Sequence, residues 1–230
     1  MAAPYDDEFA GIVREIRSRP KATGAVLNLI RATKMRVAAE LTALSELVEN
    51  GELQVDLGRL ASEEARYGYA LLERMRELRF TACRLPRELE RVDELLAHCR
   101  VRALKDIYAI GGTVGDAEAM ELLIATHVLK RHALVELRAS HDALEHAPHV
   151  EFVVADMIRA EADHIDCLGD WIAWFERRFS TRAVQAARNR IERAFAQLNL
   201  TYLAALPDYF ARVTSQRDRT IACGAYAVGQ

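Results

Sequence analysis

Residues 150–179 read VEFVVADMIRAEADHIDCLGDWIAWFERRF, and Val154, Met157, Ile158, Leu168 and Ile172 recur in this stretch at i, i+3, i+4 spacing. That period belongs to an amphipathic helix with one apolar face. Glu161 falls on this face, and His164 follows at i+3 on the same side. A carboxylate and an imidazole on the buried stripe of a long helix make this segment decide both the fold and the candidate site.

Working outward, the same period predicts further helices. One runs from about Lys21 to Glu49, with Val26, Ile30, Val37, Leu41 and Leu44 inward, and stops at Asn50-Gly51. Another covers about Val55 to Leu78, with Leu57, Leu60, Leu71 and Met75 inward. A connecting helix is expected from about Glu88 to Ile110, ending at Gly111-Gly112. A long helix follows from Asp116, an N-cap candidate, to about His146, where Ala147-Pro148 stops it. A last helix is expected from Thr181 to about Leu206, and a short one from Asp6 to Arg17; no strand is expected. Two short loops, near Gly51 and Pro148, force antiparallel neighbours, and a long connection joins the two hairpins.

Composition agrees with one globular unit. The 230 residues are 51% apolar and 28% charged, with a formal charge of -3. That balance favours no polyanion, so nucleic acid is not an expected partner. MAAPYDDEFA lacks the basic and apolar parts of a signal peptide, and no apolar run reaches bilayer length, so no membrane association is expected. Cys83, Cys99, Cys167 and Cys223 have no metal or disulfide spacing, which suits free thiols in a reducing cytoplasm.

The two hairpins resemble each other. Lys34-Met-Arg-Val-Ala-Ala-Glu40-Leu reads against Lys130-Arg-His-Ala-Leu-Val-Glu136-Leu, and Leu60-Ala-Ser-Glu-Glu64-Ala-Arg-Tyr67 against Met157-Ile-Arg-Ala-Glu161-Ala-Asp-His164. Glu40 then pairs with Glu136, Glu64 with Glu161, and Tyr67 with His164. Placing each carboxylate about 12 residues from its loop puts all four at one height, about 18 Å along the bundle. Buried carboxylates must be protonated, paired with bases or bound to cations. In a second register Lys34 and His132 take the inward positions, Lys34 neutralises Glu64 or Glu161, and no di-metal site exists. The first register is preferred because it equalises heights.

Glu161-Ala-Asp-His164-Ile-Asp166 with Leu168 resembles the fourth-helix metal motif of the ferritin-like superfamily, and Ser62-Glu-Glu64-Ala-Arg-Tyr67 its second-helix motif, with tyrosine in place of histidine. The resemblance covers residues 22–78 and 117–179. It implies an all-α, single-domain ferritin-like four-helix bundle over residues 1–230: hairpin 22–78, helical crossover 79–116, hairpin 117–179, and an additional C-terminal helix and tail 180–230. It also implies two iron ions per chain, with manganese as an alternative. Glu40 and Glu136 would be the lone carboxylates, Glu64 and Glu161 the bridging ones, and His164 the imidazole ligand.

The activity so implied is an oxidase or oxygenase acting with O2 on a small organic substrate, supplied with electrons by a donor protein and assembled as a homodimer. Tyr67 would tune or replace one ligand. His132, one turn before Glu136, would act as ligand or second-layer partner, or else pack as a core histidine. Tyr67 also carries the alternative: a metal-poor relative serving as a structural subunit or binding scaffold. A third reading makes Glu161 and His164 a non-redox acid/base pair. Asp163 and Asp166 either orient histidines or face solvent, and Trp171, Trp174 and Phe175 are expected where the fourth bundle helix meets the last one.

Overall fold

The computed structural model describes residues 3–16, 18, 21–143 and 148–215. The described residues are helical, apart from turns, short irregular segments such as 80–86, and one isolated bridge between Val48 and Val114. The helices are α1 (Ala3–Ile16), α2 (Ala22–Leu47), α3 (Gly51–Glu77), α4 (Arg91–Leu96), α5 (Leu104–Ala109), α6 (Asp116–Ala143), α7 (Pro148–Arg178) and α8 (Thr181–Ser215), with a 3-10 turn at Arg87–Leu89 before α4. None is long and apolar enough to cross a membrane. The expected stop near His146 and Ala147, residue Cys223, and the tail after residue 215 lie outside the described residues.

Four long helices form the bundle. The α2–α3 and α6–α7 hairpins are the most extensive pairings, and α3 packs on α7. Side-chain bonds order that last pair: Asp56 meets Trp171, Glu63 meets His164, and Tyr67 meets Asp156, so α3 and α7 are antiparallel. It follows that α2 runs with α7 and α3 with α6. Such an arrangement requires a crossover that spans the length of the bundle, and the segment from α3 to α6 supplies it.

Three boundaries differ from the periodicity-based expectation. Asn50 is the N-cap of α3 rather than only a stop for α2; its Oδ1 accepts from the backbone N–H of Glu52 and Leu53 at 3.0 and 3.1 Å. The α2–α3 turn is therefore tighter, and α3 starts four residues earlier, than expected. The connector is not one helix, because Glu121 of α6 captures the Arg100 N–H at 2.5 Å and holds the chain in a turn between α4 and α5. Finally, α8 continues through Pro207. An interior proline costs about 3 kcal/mol, whereas burying Tyr209, Phe210 and Val213 beyond it returns about 1.5–3 kcal/mol each. Burial outweighs the lost hydrogen bond.

The apolar core falls into two clusters. One gathers Leu41, Leu57, Leu123, Ile172 and Phe195 around the α2–α3 turn. The other gathers Phe9, Leu27, Leu71, Met157 and Phe210 at the opposite end. A slab of buried polar residues lies between them along every long helix, at Lys34, Glu64, Lys130, Glu161, His164 and Asn199. Gly68, one turn past Glu64, lets α2 and α3 close on this slab; a Cβ there would stand 2.5 Å from Met35 Sδ.

Candidate functional site: a buried lysine–glutamate cluster

Lys34, Glu64, Lys130 and Glu161 each stand 13 residues from the loop-facing end of their helix. At 1.5 Å per residue all four meet at one level, about 20 Å from the loops. Each is 4% exposed or less, and His164 is fully buried.

The four side chains close a ring of alternating charge. Lys34 Nζ donates to Glu64 Oε1 at 3.0 Å and to Glu161 Oε2 at 2.5 Å. Lys130 Nζ donates to the same two oxygens, at 2.8 and 3.4 Å. Two ammonium groups thus share two carboxylate oxygens, and the ring is neutral. Burial alone would lower the Lys34 pKa, but Glu161 and Glu64 outweigh it and hold the ammonium above its ordinary range. Burial alone would raise Glu64, yet Lys130 and Lys34 press it well below the usual carboxylate range.

His164 completes the cluster on the Lys130 side. Its Nδ1 lies 3.0 Å from Lys130 Nζ, and its Nε2 lies 2.7 Å from Glu63 Oε2. Toward Lys130, whose ammonium has only protons to offer, Nδ1 can only accept, with the ring N–H at Nε2 donating to Glu63; toward Glu64 Oε1, 3.1 Å away, the same Nδ1 can only donate. Glu63 is the half-buried member that reaches toward solvent, and its pKa is lowered by the His164 contact against the opposing effect of burial.

The expected four-carboxylate layer does not form. Glu64, Glu161 and His164 stand together, with donor atoms within 4.8 Å of one another, but Glu40 and Glu136 do not join them. Glu40 pairs with Arg36 of its own helix, and Arg36 also bonds Asp93 of α4. Glu136 is held by Arg91 at 2.6 Å and accepts from Tyr202 Oη at 3.4 Å. Each loop lies about three residues earlier in the chain than equal heights for the four carboxylates require. With α2 ending at Leu47, the residue level with Glu64 is Lys34, six positions before Glu40 and on another face.

Other candidates also sit elsewhere. Tyr67 donates to Asp156 Oδ2 at 2.9 Å, turned away from the ring, under the Arg66 guanidinium. His132 lies against Phe195 with ring centroids 4.6 Å apart, and burial lowers its pKa to about 4. The second register is therefore realised for Lys34 but not for His132, whose expected place belongs to Lys130. Asp163 and Asp166 are exposed, and Trp171, packed against a cluster that includes residues of α8, donates to Asp56 of α3 at 2.9 Å.

Sequence reasoning passed over three residues. Lys130 was legible, since the hairpin repeat sets it opposite Lys34. Glu63 lies one residue off the apolar stripe that carries Glu64, so the helical period gives it no inward signal. Arg91 gave no signal at all: it comes from the crossover, bonds Asn199 at 2.9 Å and Glu136 at 2.6 Å, and lies 3.5 Å over the Tyr202 ring.

No protein-family model matches this chain, and neither a curated protein nor a solved structure matches it.

Proposed function

We propose that this chain is a metal-independent helical bundle, ferritin-like in its chain path, that works as a structural subunit or binding scaffold for another protein. The observation that carries the reading is the position of Lys34 and Lys130. Their ammonium groups stand between the carboxylates where a di-metal bundle would hold its ions, and they already neutralise both. While both lysines are charged, this donor set does not fit two iron or manganese ions, because cation would be pressed against cation. The antiparallel hairpins and the long crossover support the ferritin-like path. Tyr67, in place of a second histidine, belongs to the same reading.

One observation favours a second reading, a di-metal oxidase or oxygenase. Glu64, Glu161 and His164 present three donor atoms within 4.8 Å, a spacing that the first of the two metal ions would accept once the lysines withdraw. The two readings separate on metal content. Protein grown with iron and manganese supplied, and measured by elemental mass spectrometry, is expected to carry neither metal in stoichiometric amount and to co-purify with a partner in fixed ratio. About two metals per chain, lost in Glu161→Ala, would replace the scaffold reading with the oxygenase.

A further inference from the structure

The ring of Lys34, Lys130, Glu64 and Glu161 has the connectivity of a carboxylate-bridged pair of cations. Each glutamate bridges both ammonium nitrogens through one oxygen, and His164 Nδ1 attaches to one nitrogen alone, that of Lys130. The charge of the two ammonium groups equals that of one divalent ion. We infer that Lys34 and Lys130 are built-in substitutes for a metal, and that removing both ammonium groups leaves Glu64, Glu161 and His164 as a cage for one divalent transition-metal ion.

Three observations support the cage. His164 Nδ1 stands 3.1 Å from Glu64 Oε1 and 3.8 Å from Glu161 Oε2. Donors about 2.0–2.2 Å from a common ion are about 3–3.5 Å apart, so the two histidine edges are near the required length, and the three atoms, within 4.8 Å of one another, have to draw together by about 1 Å at most. His164 Nε2 lies 2.7 Å from Glu63 Oε2, a carboxylate that orients the ring with Nδ1 toward the two glutamates, as in metal-bound histidines. Two carboxylates and an imidazole suit Zn2+ or Co2+. Truncating two lysines frees room for the ion and a completing water.

The inference rests on the metal-independent reading above, and the full chain tests them separately. Native protein and the Lys34→Ala/Lys130→Ala variant are equilibrated with Co2+, desalted, and assayed for cobalt, visible absorption and Tm with and without EDTA. Native protein is expected to retain no cobalt and to show an unmoved Tm. The double variant is expected to bind about one cobalt per chain and to gain about 5 °C or more in Tm at saturating metal. Adding Glu64→Gln and Glu161→Gln is expected to abolish both effects. Stoichiometric cobalt in native protein would overturn the metal-independent reading itself. A cobalt-free native protein whose double variant neither binds cobalt nor folds in its presence would overturn the cage alone. Equal binding by the fourfold variant would do the same, by placing the ion elsewhere.

Discussion

Lys34 of α2 and Lys130 of α6 donate to the same two atoms, Glu64 Oε1 and Glu161 Oε2, although 96 residues separate them in the chain. Neither lysine would be tolerable at this depth alone, and neither would either glutamate. Together they form a neutral unit between two apolar clusters, so the fold depends on completeness of the set more than on any single bond.

Removing one member should therefore cost far more than removing all. Lys34→Met is expected to lower unfolding stability by about 3–5 kcal/mol, because a buried carboxylate loses half of its neutralising charge. Replacing Lys34, Lys130, Glu64 and Glu161 together with Met, Met, Leu and Leu is expected to be near neutral. Urea unfolding of both variants checks this, and equal losses would show that the cluster is not coupled.

The ring also sets a pH window. Glu64 is depressed in the folded state, so its contribution is present above the unfolded carboxylate value of about 4.3 and is lost as pH falls through the lower folded value. Lys34 is raised, so its contribution is complete below about 10.4 and is lost as pH rises through the higher folded value. Between about pH 5 and 9 the ring's contribution is expected to be flat. Unfolding free energies across pH, compared with the fourfold Met/Leu variant, measure it; a slope near neutrality that disappears in that variant would contradict the assignment.

His132 acts in the opposite sense. Its folded pKa is lowered to about 4, burial being the main cause, so the unfolded chain binds the proton more readily between about pH 6.5 and 4. Stability should fall with acid through that window, and His132→Phe should reduce the fall. NMR titration of the imidazole is expected to show no protonation until near pH 4; a midpoint near 6.5 would remove the effect.

Arg91 fastens the crossover to the bundle through Glu136, Asn199 and the Tyr202 ring. Arg91→Met is expected to cost about 3 kcal/mol by stranding a buried carboxylate. Most of that should return in Arg91→Met/Glu136→Leu, giving a coupling energy of about 1–3 kcal/mol in a double-mutant cycle. Additive losses would mean that the two residues act separately.

Much of the fold was legible locally. Helical periodicity, Asp116 at the head of α6, Asn50-Gly51 between α2 and α3, and the long connector were enough to predict an all-helical chain of two hairpins. Glu64, Glu161 and His164 were legible too, because each sits on an apolar stripe where a polar group is conspicuous. Arg91 was not, since its partners lie 45 residues or more away in the chain and no period links them. The passage of α8 through Pro207 was likewise invisible, because the compensating burial belongs to the assembled core.

Periodicity and capping residues by themselves determined the helices, their pairing into hairpins, and the presence of buried acid. Which cations meet that acid was decided only in three dimensions. Moving a loop by three residues exchanges the helix partner for one six positions away, about 9 Å along the axis and about one and two-thirds turns around it. That shift exchanged Glu40 for Lys34 and Glu136 for Lys130, and turned an expected ring of four carboxylates into a ring of opposite charges. A helix repeats its period all along its length, so the pattern marks a face. The height at which that face meets its neighbours is set by how the turns close and the helices pack.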